Sequence, residues 1–268
     1  MNYKINYIDW AENQETIVNL LDQCFQNSAI HLSTTTIVVN SLAKMGCNID
    51  ILPPSFYPHI AHVFHAALQE NEKIPQQTAL VLNALGKMGY LWHVPRDHEV
   101  LGEMDEALQR YHRAQEALIL AVGQNHQFLN AQYTANIFDA FAKFSFKVEN
   151  LKSYRCITLG RVIKLLRGLI IAVRRNLLEF NEHNISYLFW SFGKLRLEWN
   201  EDLEWNEDPW WLIDRIDIPR DHRVDIRPLC LKVIDGYHAD YNGVWISMLF
   251  SGFAGMRLNW SQLAHPVD

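Results

Sequence analysis

Thr35-Thr36-Ile37-Val38-Val39-Asn40-Ser41-Leu42-Ala43-Lys44-Met45-Gly46 returns as Thr78-Ala79-Leu80-Val81-Leu82-Asn83-Ala84-Leu85-Gly86-Lys87-Met88-Gly89. A third copy reads Thr134-Ala135-Asn136-Ile137-Phe138-Asp139-Ala140-Phe141-Ala142-Lys143-Phe144-Ser145. A fourth occupies Ile185 to Leu195, and a degenerate fifth Ile246 to Met256. Aligned on Lys44, Lys87, Lys143, Lys194 and Gly255, the copies lie 43, 56, 51 and 61 residues apart. A fixed word at a variable interval points to stacked structural units joined by unequal connections.

Each copy fits one kind of helix. Ala43, Gly86, Ala142, Gly193 and Ala254 form a small column one place before the Lys column. Thr36, Ala79, Ala135, Ser186 and Ser247 form a second, seven residues earlier and so on the same helical face. Small side chains there let a neighbouring helix come close. Val38, Leu42 and Met45, with Val81, Leu85, Met88, Ile137, Phe141 and Phe144, supply an apolar stripe. Gly46 and Gly89 stand where a helix ends in a left-handed cap, and the lysines lie in the last turn, where the helix dipole favours a cation.

A second helix is predicted after each of the first four copies: from Pro53-Pro54 through Leu68, from Glu99 to Val122, from Tyr154 to Leu178, and from Leu229 to His238. Thr16 to Phe25 adds an N-terminal capping helix, and Gly243 to Leu258 an unpaired final one. With almost no period-2 alternation, a sheet is not expected. The fold class is therefore all-α: an α-solenoid, or superhelix, of about four helix pairs forming one domain over residues 1–268. The last helix lacks the polar cap of a solenoid end, so it is expected either to dock another element or another chain, or to belong to a longer polypeptide.

The composition agrees. Of 268 residues, 49% are hydrophobic and 20% charged, which excludes a disordered chain. The net charge of -6 argues against a broadly basic nucleic-acid binder. Cys24, Cys47, Cys156 and Cys230 make no CxxC and read as reduced thiols. The N-terminus has no signal-peptide core, and the most apolar run, Leu165 to Val173, is too short and too charged at its edges to span a bilayer. A soluble protein is expected, cytoplasmic or delivered into a host cell without a conventional signal peptide.

The word Thr-small-x-apolar-apolar-Asn-small-Leu-Ala-Lys-Met-Gly, over residues 33–46, 76–89, 132–145 and 183–196, resembles the first helix of octotricopeptide-type repeats. Those are helix pairs of organelle RNA-binding proteins. Similar short repeats occur in proteins of intracellular gammaproteobacteria, several of them regarded as secreted effectors. The resemblance implies a helical-repeat fold and a bacterial effector or RNA-binding role. The repeats here are longer and unequal, the Asn column decays (Asn40, Asn83, Asp139, Trp190, Ser251), and no nuclease-like domain is expected within these 268 residues. The resemblance assigns no RNA-reading residue in this chain.

Several features could carry function. Arg161, Lys164, Arg167, Arg174 and Arg175 fall within an arc of about 140° on the third second-type helix, a basic face suited to phosphates or an acidic partner. Trp199, Glu201 and Asp202, then Trp205, Glu207, Asp208, Trp210 and Trp211, form a small acidic aromatic duplication, the composition of a partner-binding loop. Lys44, Lys87, Lys143 and Lys194 would align along one edge of the stack, with the helix dipole a sufficient reason for their presence.

His59, His62 and His65 drift around one helix without the converging set zinc needs. Cys230, Asp235 and His238 suggest thiol chemistry, but Cys230 and His238 are about 12 Å apart along a helix. No phosphate-binding glycine loop or nucleophile elbow occurs. These features favour a non-enzymatic protein-interaction scaffold with a protein partner and no cofactor or metal. RNA binding is the alternative, and a thiol-dependent enzyme the second alternative.

Overall fold

Five helices of thirteen residues each fall on the five copies of the repeated word. In the computed structural model, residues 10–27, 30–92, 106–145, 165, 168–169, 171–195, 204–205, 224–225 and 243–256 are described. Within the described residues run the α-helices α1 (Trp10–Gln26), α2 (Leu32–Lys44), α3 (Phe56–Gln69), α4 (Pro75–Lys87), α5 (Glu106–Asn125), α6 (Ala131–Lys143), α7 (Glu182–Lys194) and α8 (Gly243–Gly255). The protein is all-α. Short 3₁₀ turns at Ile49–Ile51 and His126–Phe128 accompany the helices.

Local chemistry sets the helix ends. Pro75 opens α4, and the Asn130 and Asn181 side chains accept from the backbone N–H of Tyr133 and Asn184 at the starts of α6 and α7. Thr36, Thr78, Thr134 and Ser186 are buried, and each hydroxyl donates to the carbonyl four residues back, so these four donors are satisfied within their own helices. Gly46 and Gly89 take φ of 77° and 81°. Cys47 N–H then reaches Leu42 O, and Tyr90 N–H reaches Leu85 O, closing two Schellman caps. Ser145 takes the same left-handed position after α6 at φ 54°, the one repeat end of these three without glycine.

The repeat helices pack in chain order: α2 on α4, α4 on α6, α6 on α7 and α7 on α8. On the other side, α1 packs on α3 and α3 on α5. Backbone bonds tie successive units at their C-terminal ends. Five residues past the Lys column, Ile49 N–H donates to Met88 O, and Trp92 N–H donates to Phe144 O. One apolar core runs the length of the described chain, from Leu21 and Phe25 through Phe64, Leu85, Leu118 and Phe141 to Phe189 and Met256.

Some sequence expectations need correction. Met45 belongs to the predicted stripe yet is 46% exposed, because α2 has a repeat helix on one side only. The third second-type helix, placed through Leu178, is helical at 171–175 and turns at 176–179. Residues 93–105, most of 146–170 and the span Leu229–His238 lie outside the described residues. A two-residue antiparallel pair also forms, Glu204 opposite Asp225 and Trp205 opposite Val224. Two residues bury no sheet face, so no period-2 pattern is needed to make them.

Candidate interaction surfaces

Close packing identifies which face of each repeat helix meets which neighbour. A Cβ on Gly86 would lie 3.4 Å from Ala140 Cα of the following helix. A Cβ on Gly193 would lie 2.7 Å from Gly252 O and 2.9 Å from Gly252 Cα. The small column before the lysine therefore looks toward the next helix. The position three before the lysine looks back to the previous one.

This assignment exposes two ends. On the backward face, Ala84, Ala140, Ser191 and Gly252 are buried, as are Met88, Phe144 and Met256 one place past the Lys column. In α2 the equivalents Ser41 and Met45 are open, and Ile37 beside them is 67% exposed. On the forward face, Thr36, Ala79, Ala135 and Ser186 are buried, and so are Val39, Leu82, Phe138 and Phe189 five places before the lysine. In α8 the equivalents Ser247 and Phe250 are open, Phe250 at 57%. Val244 and Ile246 are exposed as well, and α8 contains no charged residue. An uncharged helix with half its circumference open is an unusual surface for a globular chain.

Each of the four lysines closes its own repeat helix, and two of them have partners. Lys44, Lys87 and Lys194 are exposed, and Lys143 is half-buried. Lys143 Nζ lies 2.6 Å from Asp139 Oδ2 and 5.9 Å from the Tyr187 ring centroid; Lys194 Nζ lies 5.7 Å from that of Trp190. Burial pushes the Asp139 carboxyl above its ordinary pKa, and the Lys143 ammonium pulls the other way. Among the described residues, Asn83 Oδ1 and Asp139 Oδ1 are buried without a hydrogen-bond partner.

Of the three histidines, His59 is structural. It is buried and its Nε2 lies 2.8 Å from Thr35 Oγ1, joining α3 to α2. Burial, and secondarily the neighbouring His62, lowers its pKa; a backbone hydrogen bond at Phe25 opposes this. His62 faces a cavity of about 710 Å³ between α1 and α3. There Asp22 accepts from Ser55 Oγ at 2.5 Å and from Gln26 Nε2 at 2.6 Å, so its oxygens are already engaged. Among the described residues, no three His, Cys, Asp or Glu side chains converge on a metal position.

The basic face is represented by Arg174 and Arg175, both exposed; Arg161, Lys164 and Arg167 lie outside the described residues. The Arg175 guanidinium donates to the backbone carbonyls of Gln127 and Leu129, so it braces the connection before α6. Trp205 is on the short strand pair; Trp199, Glu201, Asp202, Glu207, Asp208, Trp210 and Trp211 lie outside the described residues. So do Cys230, Asp235 and His238. Cys47 is buried, and desolvation holds its thiol above the ordinary pKa, the reverse of an activated nucleophile.

Two residues escaped the sequence reading. Buried Asn125 accepts from Ile74 N–H at 3.0 Å and donates to Ala121 O. Buried Asn176 donates to Leu129 O at 2.9 Å and to Ala172 O. Each ties the end of a second-type helix to a residue one or two places before a first-type helix. Their signal is a second repeated word, Ala121-Val122-x-x-Asn125-x-x-x-Leu129-Asn130 and Ala172-Val173-x-x-Asn176-x-x-x-Phe180-Asn181.

Among the described residues, no helix is long and apolar enough to cross a membrane. No protein-family model matches the chain, and no curated protein sequence matches it.

Proposed function

We propose that the chain is a non-enzymatic protein-interaction scaffold, an α-solenoid of about four helix pairs that takes a protein partner on its surface. The observation that carries this reading is the open, uncharged face of α8, with Val244, Ile246 and Phe250 exposed together. Ile246 and Phe250 are one turn apart on the same side of the helix, and exposed apolar surface of this kind marks interaction sites. The packing order of α2, α4, α6, α7 and α8 supports the solenoid. The resemblance to effector repeats extends the proposal to a bacterial protein acting on a protein of its host or its own cell.

The test is affinity capture from lysate with the wild type, Phe250→Glu, and the Trp210→Ala/Trp211→Ala pair, each checked for helicity by circular dichroism. A protein retained by the wild type and lost with Phe250→Glu supports the α8 surface. A protein lost only with the tryptophan pair moves the surface to the acidic loop. No specific retention by any of them refutes the scaffold reading.

RNA binding is a second reading, favoured by Lys44, Lys87 and Lys194 standing exposed at matching ends of the repeat helices. Fluorescence anisotropy with random single-stranded RNA at two salt concentrations decides it. Phosphate contacts by the row predict binding that weakens steeply with salt, and a flat signal at both salts removes the reading.

A further inference from the structure

We propose that the open forward face of α8 receives the open backward face of α2 from a second copy of this chain, so that copies join head to tail. The inference rests on the scaffold reading of α8 and names the occupant. At 100° per residue, Ser247, Phe250, Ser251 and Ala254 fall within an arc of about 100° on α8, and Thr34, Ile37, Ser41 and Met45 within about 80° on α2. At the internal junctions the equivalents of Ser247, Phe250 and Ser41 are all buried, and those of the other positions are buried or half-buried. The forward column that ends in Ala254 is the one whose members Gly86 and Gly193 meet Ala140 and Gly252 of the next helix. The backward column is Ser41, Ala84, Ala140, Ser191 and Gly252. Docking α2 onto α8 would place Ser41 against Ala254, the same small-on-small pairing.

The remaining chemistry is compatible. Neither α2 nor α8 contains an acidic residue, so docking buries no carboxylate. Lys44 stands at the rim of the α2 face. Its internal equivalent, Lys143, already packs its stem at the α4–α6 junction, with Cβ and Cδ 3.4 Å from where a Gly86 side chain would begin. The external contact thus continues an interface the chain builds internally four times, between α2, α4, α6, α7 and α8. Because the two faces differ, the contact is heterologous. Each added copy presents a fresh face, and assembly has no intrinsic stop at the dimer.

Mass by light scattering and sedimentation, from low micromolar to near-millimolar protein, tests this on the full chain. The wild type should grow with concentration past the dimer. Ile37→Glu and Phe250→Glu change exposed positions on opposite ends, and each alone should abolish assembly. Mixed in equal amounts they should form a heterodimer and stop there, because the first retains a sound α8 face and the second a sound α2 face. Should either Glu variant lose helicity, Ser41→Arg with Ser247→Arg repeats the design.

A wild type that stays monomeric throughout overturns the proposal, as does a mixture that stays monomeric while the wild type assembles. A saturating dimer that survives Ile37→Glu but not Phe250→Glu means α8 on α8, and also overturns it. A monomeric chain that still captures a different protein through Phe250 overturns the second-copy assignment and leaves the scaffold reading standing.

Discussion

Gly252→Ala and Gly86→Ala are the same change in the same kind of helix, and the structure predicts opposite signs. In an open helix, replacing glycine by alanine stabilises by about 1 kcal/mol, because the unfolded chain gives up less freedom. At Gly86 the new Cβ would find its nearest neighbours at 3.4 Å, two of them on the flexible Lys143 side chain. That contact can relax, and Gly86→Ala should stabilise by about 0.5–1 kcal/mol. At Gly252 the Cβ would meet the backbone of the facing helix, 2.5 Å from Phe189 C and 2.9 Å from Trp190 N. Backbone cannot swing aside, so α7 and α8 must part by about 1 Å, a gap that forfeits a quarter to a half of each dispersion contact along the junction. Overpacking of this kind costs about 1–3 kcal/mol, so Gly252→Ala should destabilise by about 1–2 kcal/mol net of the propensity gain.

Urea unfolding of both variants measures the difference, with m-values compared to check that the cooperative unit is unchanged. Hydrogen exchange over residues 243–255 catches the case in which α8 lifts away by itself. If Gly252→Ala stabilises as much as Gly86→Ala, the close α7–α8 approach is wrong, and with it the assignment of forward and backward faces.

Two further predictions concern the joints of the stack. His59 has a lowered folded pKa, so the unfolded chain binds the proton more readily; its contribution is intact above the unfolded value near 6.5 and is lost as pH falls below it. Thermal midpoints from pH 7.5 down to 5.5 should fall more steeply in the wild type than in His59→Gln, and equal slopes would show that His59 does not contribute. Asn125→Ala leaves the buried Ile74 N–H without its acceptor and should cost about 1–3 kcal/mol by urea unfolding. A loss under about 0.5 kcal/mol would mean that another acceptor replaces it.

The repeated helices were legible because their constraints are local. Thr-small-apolar spacing, a lysine in the last turn and a glycine in the left-handed cap act within one or two turns, and the five thirteen-residue helices lie where the words lie. The Asn125 and Asn176 ties could have been found as a second repeated word, but neither polar side chain announces a carbonyl or N–H about fifty residues away as its partner. The pairing of Glu204–Trp205 with Val224–Asp225 had no readable pattern, since two residues make no periodicity.

Sequence by itself determined the helix type, its five positions and its caps, because hydrogen bonds and side-chain spacing along one chain decide those. Tertiary structure decided which face of each helix looks forward and which back, and therefore that, among the described helices, α2 and α8 stand at the two ends of the row with opposite faces exposed. Those assignments depend on the few ångströms between Gly193 and Gly252, or between Gly86 and Ala140, and a distance between two helices is not written in the spacing of either one.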